Sequence, residues 1–175
     1  MNKVFTYLSD MFNYVIIAIP IILIIRIIFL CVKKKKFNIK YEISLLIFIL
    51  FLIGLFSQAF IPNNGKHITN LIPFKIIYDT YNQVFNKNNI NYLIISFIGN
   101  VIMFIPIGFL IKKLWNLSDK KTILIGFLIS LFIEFVQLFL KRTSDIDDLI
   151  LNTLGVYLGI LLFNIYIKYK KKSSV

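Results

Sequence analysis

The chain has little cysteine, histidine, acid or glycine, and each scarcity excludes a class of function. Its 175 residues include one cysteine and one histidine, so it forms no internal disulfide and no four-ligand Cys/His zinc site. Charged residues make up 16% of the sequence, against about 25% in a typical soluble domain. The sequence has no glycine-rich phosphate-binding loop, and we expect no cofactor.

The chain is instead rich in long apolar runs. Hydrophobic residues make up 58% of it, and the mean hydropathy is +0.81. A bilayer crossing takes about 20 predominantly apolar residues. Runs of roughly this length cover residues 14–32, 43–61, 92–111, 122–140 and 149–167. The sequence therefore predicts an all-α polytopic membrane protein of about five transmembrane helices, with residues 1–175 in a single membrane domain.

Basic residues cluster beside these runs and predict the topology. With the N-terminus outside, the inner segments hold five, four and four Lys or Arg residues, and the outer segments hold one, three and two. The positive-inside rule then favours an outer N-terminus and a cytoplasmic C-terminus. The net charge of +12 comes mostly from these clusters, which suit contact with membrane lipids. We therefore expect no nucleic-acid partner.

The longest predicted outer loop, residues 62–91, contains a segment with helical periodicity. Between residues 74 and 86, apolar and aromatic side chains recur on one face and polar side chains on the other. Pro73 suits the first turn of such a helix. Two interpretations stay open, an amphipathic helix on the outer membrane surface and a loop packed on the helix bundle.

Polar side chains occur where the apolar runs approach the predicted outer face. Glu134 and Gln137 are three residues apart and so share one face of the fourth helix. At 1.5 Å per residue, Glu134 lies about 9 Å and Asn100 about 12 Å below the outer ends of their helices. Contact between them is possible if the two helices are neighbours. Because charge inside a bilayer is costly, Glu134 is a candidate functional residue.

The segment before the fifth run supplies further polar side chains. Asp145, Asp148 and Asn152 fall on one helical face, and Asp147 points elsewhere. Arg142 precedes them as a counter-ion or an anion contact. Together, the candidate polar pocket consists of Asn100, Glu134, Gln137, Arg142, Asp145, Asp148 and Asn152.

Structural explanations compete at several of these positions. Asp145 is a good N-cap residue, as is the serine before it, and acids in a first turn suit the helix dipole, which also explains Asp147. Glu134 and Asn100 are alternatively polar links between helices. Glu134, Asp145 and Asp148 carry the oxygen ligands that magnesium prefers, but we expect no metal.

Glycine and proline positions predict how the helices pack. Pro106 and Gly108 interrupt the third run and predict a kink below Asn100. Gly155 and Gly159 form a small-xxx-small pattern, whose usual meaning is close helix packing.

At these residues the chain resembles the VanZ-like family of bacterial membrane proteins. The resemblance covers roughly residues 45–165 and rests on an ordered set of motifs. They are NLIPF at 70–74, NVIMFIPIG at 100–108, EFVQ at 134–137 and RTSDIDDLILNTLG at 142–155.

The resemblance implies a protein of the bacterial cytoplasmic membrane that acts at the cell envelope. The family is named for a protein that gives low-level teicoplanin resistance without altering the peptidoglycan precursor, and most members are not linked to an antibiotic. We expect an outer-leaflet polar pocket that binds or excludes an amphiphilic envelope compound, such as a lipidated glycopeptide.

Two other functions remain as alternatives. The first is an intramembrane enzyme acting on a lipid head group or a lipid-linked envelope precursor, with Glu134 or Asp148 as general base. The second is a small transporter, which ranks last because the inner halves of the helices lack matching polar residues.

Overall fold

The computed structural model describes residues 3–34, 36–60, 69–140 and 144–173, and these residues are almost entirely helical. The helices are α1 (Lys3–Lys33), α2 (Ile39–Phe60), α3 (Lys75–Tyr81), α4 (Ile90–Tyr92), α5 (Gly99–Trp115), α6 (Asp119–Phe139) and α7 (Ile146–Lys172). Two short strands, β1 (Thr69–Asn70) and β2 (Ser144–Asp145), pair in parallel. The π-helical segments Asn82–Asn86 and Leu93–Ile98 follow α3 and α4.

Within the described residues, five helical segments are long and apolar enough to cross a membrane. They are Tyr14–Lys33, Ile39–Ser57, Ile90–Trp115, Asp119–Phe139 and Ile146–Lys172. The third comprises α4, the π-helical segment Leu93–Ile98 and α5. The predicted all-α membrane fold with five spans is confirmed, because runs of Ile, Leu and Phe satisfy both the length and the backbone hydrogen bonding that a bilayer requires.

The chain divides into two compact units, residues 1–61 and 62–175, and a single domain stays a prediction. In the first unit, α1 packs against α2. The charged side chain of Arg26 lies within the first span, and its Nε and Nη2 donate to both carboxylate oxygens of Glu42 at 2.6 and 3.0 Å. This bidentate pairing satisfies a charge that would otherwise be costly in a membrane.

In the second unit, α7 packs closely against α5 and also against α6. Three glycines make the α5–α7 approach possible. A Cβ on Gly108 would overlap the backbone of Val156, and one on Gly159 would overlap the backbone of Ile105. Gly155 has the same relation to α5, and we call Gly108, Gly155, Val156 and Gly159 the glycine seam. α5 continues through Pro106 and Gly108, and the kink that these residues predict stays a prediction.

A short turn joins α5 to α6 at the opposite end from the candidate residues. Asn116 adopts the left-handed conformation that ends a helix, and Ser118 caps α6 by accepting from the backbone N–H of Lys121. The buried Lys112 donates to the carbonyl of Leu117 and to the carboxylate of Asp119, both at 2.7 Å. The ammonium group of Lys112 therefore reaches the turn at the helix end, while the aliphatic part of its side chain is buried.

Candidate functional site

The described candidates gather at one end of α5, α6 and α7. We call this region the polar end and define it by Asn100, Glu134, Gln137, Asp145, Asp148 and Asn152. The same helices carry their lysine clusters at the other end. Arg142, the remaining candidate, lies outside the described residues.

Glu134 joins the end of α6 to the start of α7. Its side chain is 7% exposed, and its Oε2 accepts from the hydroxyl of Ser144 at 3.0 Å and from the backbone N–H of Asp145 at 2.9 Å. Both donors belong to β2. Through these two hydrogen bonds, the Glu134 carboxylate fixes the chain that enters α7.

Asn100 links α5 to α7. Its Nδ2 donates to the Oδ1 of Asp148 at 2.5 Å and to the carbonyl of Ser96 at 3.0 Å. Ser96 lies in the π-helical segment Leu93–Ile98, where backbone hydrogen bonds join residues five positions apart. The amide of Asn100 therefore binds both a carbonyl beside this irregular turn and a carboxylate on the neighbouring helix.

Asp145 is the N-cap of α7 and also holds β1. Its Oδ1 accepts from the backbone N–H of Asp147 at 2.9 Å and from the side chain of Asn70 at 2.8 Å. In turn, the Oδ1 of Asn70 accepts from the backbone N–H of Ile72 at 3.2 Å. The loop before α3 is thus fixed to the start of α7 through side chains as well as the β1–β2 pairing.

Asp147 caps α3 rather than α7. Its two carboxylate oxygens accept from the backbone N–H groups of Phe74 and Ile76, at 2.5 and 2.7 Å. The Asp147 side chain is almost fully buried. Phe74 has a positive φ of 63°, and this left-handed residue begins the helix without a side-chain cap of its own. One carboxylate therefore satisfies two of the N–H groups that every helix start leaves unpaired.

The segment after Phe74 is helical over α3 and the π-helical segment that follows. Its aromatic and aliphatic side chains are mostly exposed, with Ile76 buried. The exposed ones are Phe74, Ile77, Tyr78, Tyr81 and Phe85. On the other face, Lys75 and Asp79 form an exposed ion pair at 3.0 Å, and this hydrogen bond raises the pKa of Lys75 above its ordinary value.

Three polar groups at the polar end have open hydrogen-bonding capacity. Asn152 is 4% exposed; its Nδ2 donates to Ser130 at 2.8 Å, while its Oδ1 has no partner among the described residues. Gln137 is buried, and its side-chain amide pairs with none of the described residues. Asp148 uses Oδ1 for Asn100 and has no described donor on Oδ2. Because buried polar groups are normally paired, these three are candidates for contact with a ligand or water.

The comparisons with known proteins place the chain in a family. The sequence matches the VanZ/LLP1 family over residues 37–167, well over half of the chain. The chain belongs to the VanZ/LLP1 family. The match starts before the predicted boundary at residue 45 and ends close to the predicted boundary at 165. No curated protein and no solved structure matches the chain.

The VanZ/LLP1 match includes every candidate residue, and the structure adds partners that the sequence did not predict. Contact of Asn100 with Glu134 was one possibility, and the hydrogen-bonded partner that the structure gives Asn100 is Asp148, because the glycine seam brings α7 against α5. Asp147 lies in the first turn of α7, where an acid suits the helix dipole, and its side chain also caps α3.

Three residues with contacts at the polar end were not among the predicted pocket residues, although the sequence analysis had named the serine before Asp145 as an N-cap candidate and had placed residue 70 in a family motif. Ser130 lies four residues before Glu134 on the same helical face, so its spacing offered a signal. Ser144 and Asn70 make contacts that depend on the β1–β2 pairing, which the sequence does not reveal. Within the described ranges, no three Asp, Glu, His or Cys side chains are arranged to hold a metal ion.

Proposed function

We propose that this VanZ/LLP1 protein lies in the bacterial cytoplasmic membrane with the polar end at the outer leaflet. The lysine clusters at the other end of α5, α6 and α7 support this orientation, since basic residues are retained on the cytoplasmic side. The N-terminus is then outside and the C-terminus in the cytoplasm.

At the outer leaflet, the polar end binds an amphiphilic envelope compound and so limits the action of lipidated glycopeptides such as teicoplanin. The observation that carries this proposal is the set of open polar groups on Gln137, Asp148 and Asn152. Intramembrane polar groups are costly, and those without protein partners indicate a binding role rather than helix association alone.

The exposed apolar face of α3 supports an amphiphile in particular. Asp147 fixes the start of α3 to the start of α7, and we therefore place the exposed aromatic side chains of α3 beside the polar end. A compound with an apolar tail and a polar head group meets both surfaces at once. The same exposed apolar face of α3 is also suited to contact with membrane lipids.

Drug susceptibility of a deletion strain tests this function. The strain is complemented with the wild type, with Glu134→Gln or with Asp79→Asn, which makes the same carboxylate-to-amide change on the exposed surface of α3. We expect a teicoplanin-selective rise in susceptibility, relative to vancomycin, that the wild type and Asp79→Asn reverse and Glu134→Gln does not. Equal behaviour of all strains, with membrane levels of each variant verified, would contradict the proposal.

An enzyme acting on a lipid head group is the second candidate function. The Oδ2 of Asp148, which has no donor among the described residues, favours it, because a general base needs a free lone pair. Lipid profiles of the deletion and complemented strains separate the two candidates. A lipid that accumulates on deletion and disappears on complementation favours turnover, whereas unchanged lipids with altered teicoplanin susceptibility favour binding.

A further inference from the structure

Two acceptor oxygens on one face of α7 have no donor among the described residues, and they indicate which chemical group would bind at the polar end. Asp148 and Asn152 are four residues apart, so their side chains are neighbours on the helix surface. The Oδ2 of Asp148 and the Oδ1 of Asn152 have no donor among the described residues. Asn152 is more than nine-tenths buried, and its amide is held toward α6 by Ser130. An occupant of this place must therefore donate hydrogen bonds.

The charge around these oxygens favours a positively charged donor. Asp148 interacts electrostatically with three other acids of this region, Glu134, Asp145 and Asp147. The other three already accept hydrogen bonds from described groups. The amide dipoles at the start of α7 favour acids nearby, yet they donate to neither open oxygen. A phosphate or carboxylate here would be repelled, whereas a cation would be attracted.

We propose that Asp148 and Asn152 bind the primary ammonium group of an amphiphile at the polar end. An ammonium group combines a positive charge with three N–H donors, which matches two open acceptors on an acidic background. A quaternary ammonium has the charge without the donors, and it serves as the matched comparison. This inference rests on the proposed function and deepens it, because it names the chemical class of the ligand head group.

Lipid binding by the purified full-length protein tests the inference. Native mass spectrometry measures the binding of phosphatidylethanolamine, phosphatidylcholine and phosphatidylglycerol with identical acyl chains. We expect at least tenfold tighter binding of phosphatidylethanolamine than of either other lipid. The Asp148→Asn variant should remove this preference and Asp79→Asn should keep it. Because the amide oxygen introduced by Asp148→Asn can still accept from the side chain of Asn100, the variant is expected to fold.

Further probes distinguish the ammonium group from the rest of the lipid head group. Dodecylamine should displace phosphatidylethanolamine, and dodecyltrimethylammonium should not, because it lacks N–H donors. Displacement by dodecylamine would show that a primary ammonium on an apolar chain is sufficient for binding. The site would then accept any amphiphile with a primary amine. Failure of dodecylamine would overturn the inference, as would displacement by sodium ions alone. Asn152→Leu gives an independent second variant and should weaken phosphatidylethanolamine binding in the same direction.

Several results would contradict the ammonium site, and they are separable from failure of the proposed function. Equal binding of the three lipids, a preference for phosphatidylglycerol, or an unchanged preference in Asp148→Asn would each refute it. If teicoplanin susceptibility still depended on Glu134, binding of an envelope compound would stand with a different head group. If the protein preferred phosphatidylethanolamine but teicoplanin susceptibility did not change in any strain, the ammonium site would be supported and the role in teicoplanin resistance would be refuted.

Discussion

The glycine seam and the polar end both lie where α7 packs against its neighbouring helices. They differ in how completely their polar groups are paired by hydrogen bonds. At the seam, backbone lies against backbone, and Val156 is fully buried with its side chain against Gly126. At the polar end, a turn or two away along α7, Asp148 and Asn152 keep open acceptors.

This difference separates the residues that hold the helices together from those available for binding. In a membrane, helices associate through the close packing of small residues. Burial of apolar surface does not drive this association, because lipid tails are equally apolar. Polar groups that served only as glue would be expected to pair with one another, as Asn100 does with Asp148. On the proposed function, the remaining open groups belong to the binding site, and the two regions should therefore respond differently to substitution.

The largest effect is expected at the seam. In Gly159→Leu, the new side chain would overlap the backbone of Ile105 and Phe109, which cannot move aside without separating α5 from α7. Overpacking costs about 1–3 kcal/mol even where side chains adjust, and more is expected against backbone. Size-exclusion chromatography and thermal unfolding in detergent should show loss of folded protein. Leu154→Phe adds volume on the exposed face of α7 and should remain folded.

A smaller effect is expected where the polar end fixes α3. Asp147→Ala removes the acceptor of the backbone N–H groups of Phe74 and Ile76. Of these two residues only Ile76 is buried, and an unpaired buried N–H costs about 1–3 kcal/mol. Hydrogen exchange should accelerate across residues 74–86, while α5 and the seam stay protected. Asp79→Ala removes an exposed carboxylate of the same helix and should leave exchange nearly unchanged. Equal protection in both variants would show that Asp147 does not hold α3.

A modest effect is expected at the lysine-rich end. Ser118→Ala removes the side chain that caps α6, which costs about 1 kcal/mol. The melting temperature should fall slightly, whereas teicoplanin susceptibility should match the wild type because the polar end is untouched. A susceptibility change as large as that of Glu134→Gln would show that function does not reside at one end of the helices.

Substitution of Asn152 is expected to have the smallest effect on stability but a large effect on function. Asn152→Leu removes an unpaired buried oxygen, and Ser130 can bond to a carbonyl in the preceding turn instead, so the free energy of unfolding should change by less than about 1 kcal/mol. Complementation for teicoplanin resistance should nevertheless be lost. A destabilised variant with intact complementation would reassign Asn152 to helix packing.

The five spans were predictable because hydropathy and run length report directly on bilayer crossing. The helix in residues 74–86 was one of two open interpretations, since periodicity indicates a helix but not what it packs against. Of the two, the structure has a helix whose apolar face is largely exposed.

The partners within the site were less predictable, because they join residues distant in sequence. Asp147 lies 73 residues from Phe74, and Asp148 lies 48 residues from Asn100. Spacing on one helix placed Asp148 and Asn152 on a common face, but it does not say which neighbouring helix that face meets. The close α5–α7 packing decides this, and it depends on Gly108 as much as on the predicted Gly155 and Gly159.

Thiol labelling in intact cells tests most directly whether the polar end is open to the outside. In a Cys31→Ser background, single cysteines replace the exposed Lys87, which precedes α4 at the polar-end side of the third span, and the exposed Ser118 at the lysine-rich end. A membrane-impermeant maleimide should label the cysteine at position 87 in intact cells, and the one at position 118 only after permeabilisation. Labelling of position 118 in intact cells, with position 87 unreactive until permeabilisation, would place the polar end in the cytoplasm and contradict the account.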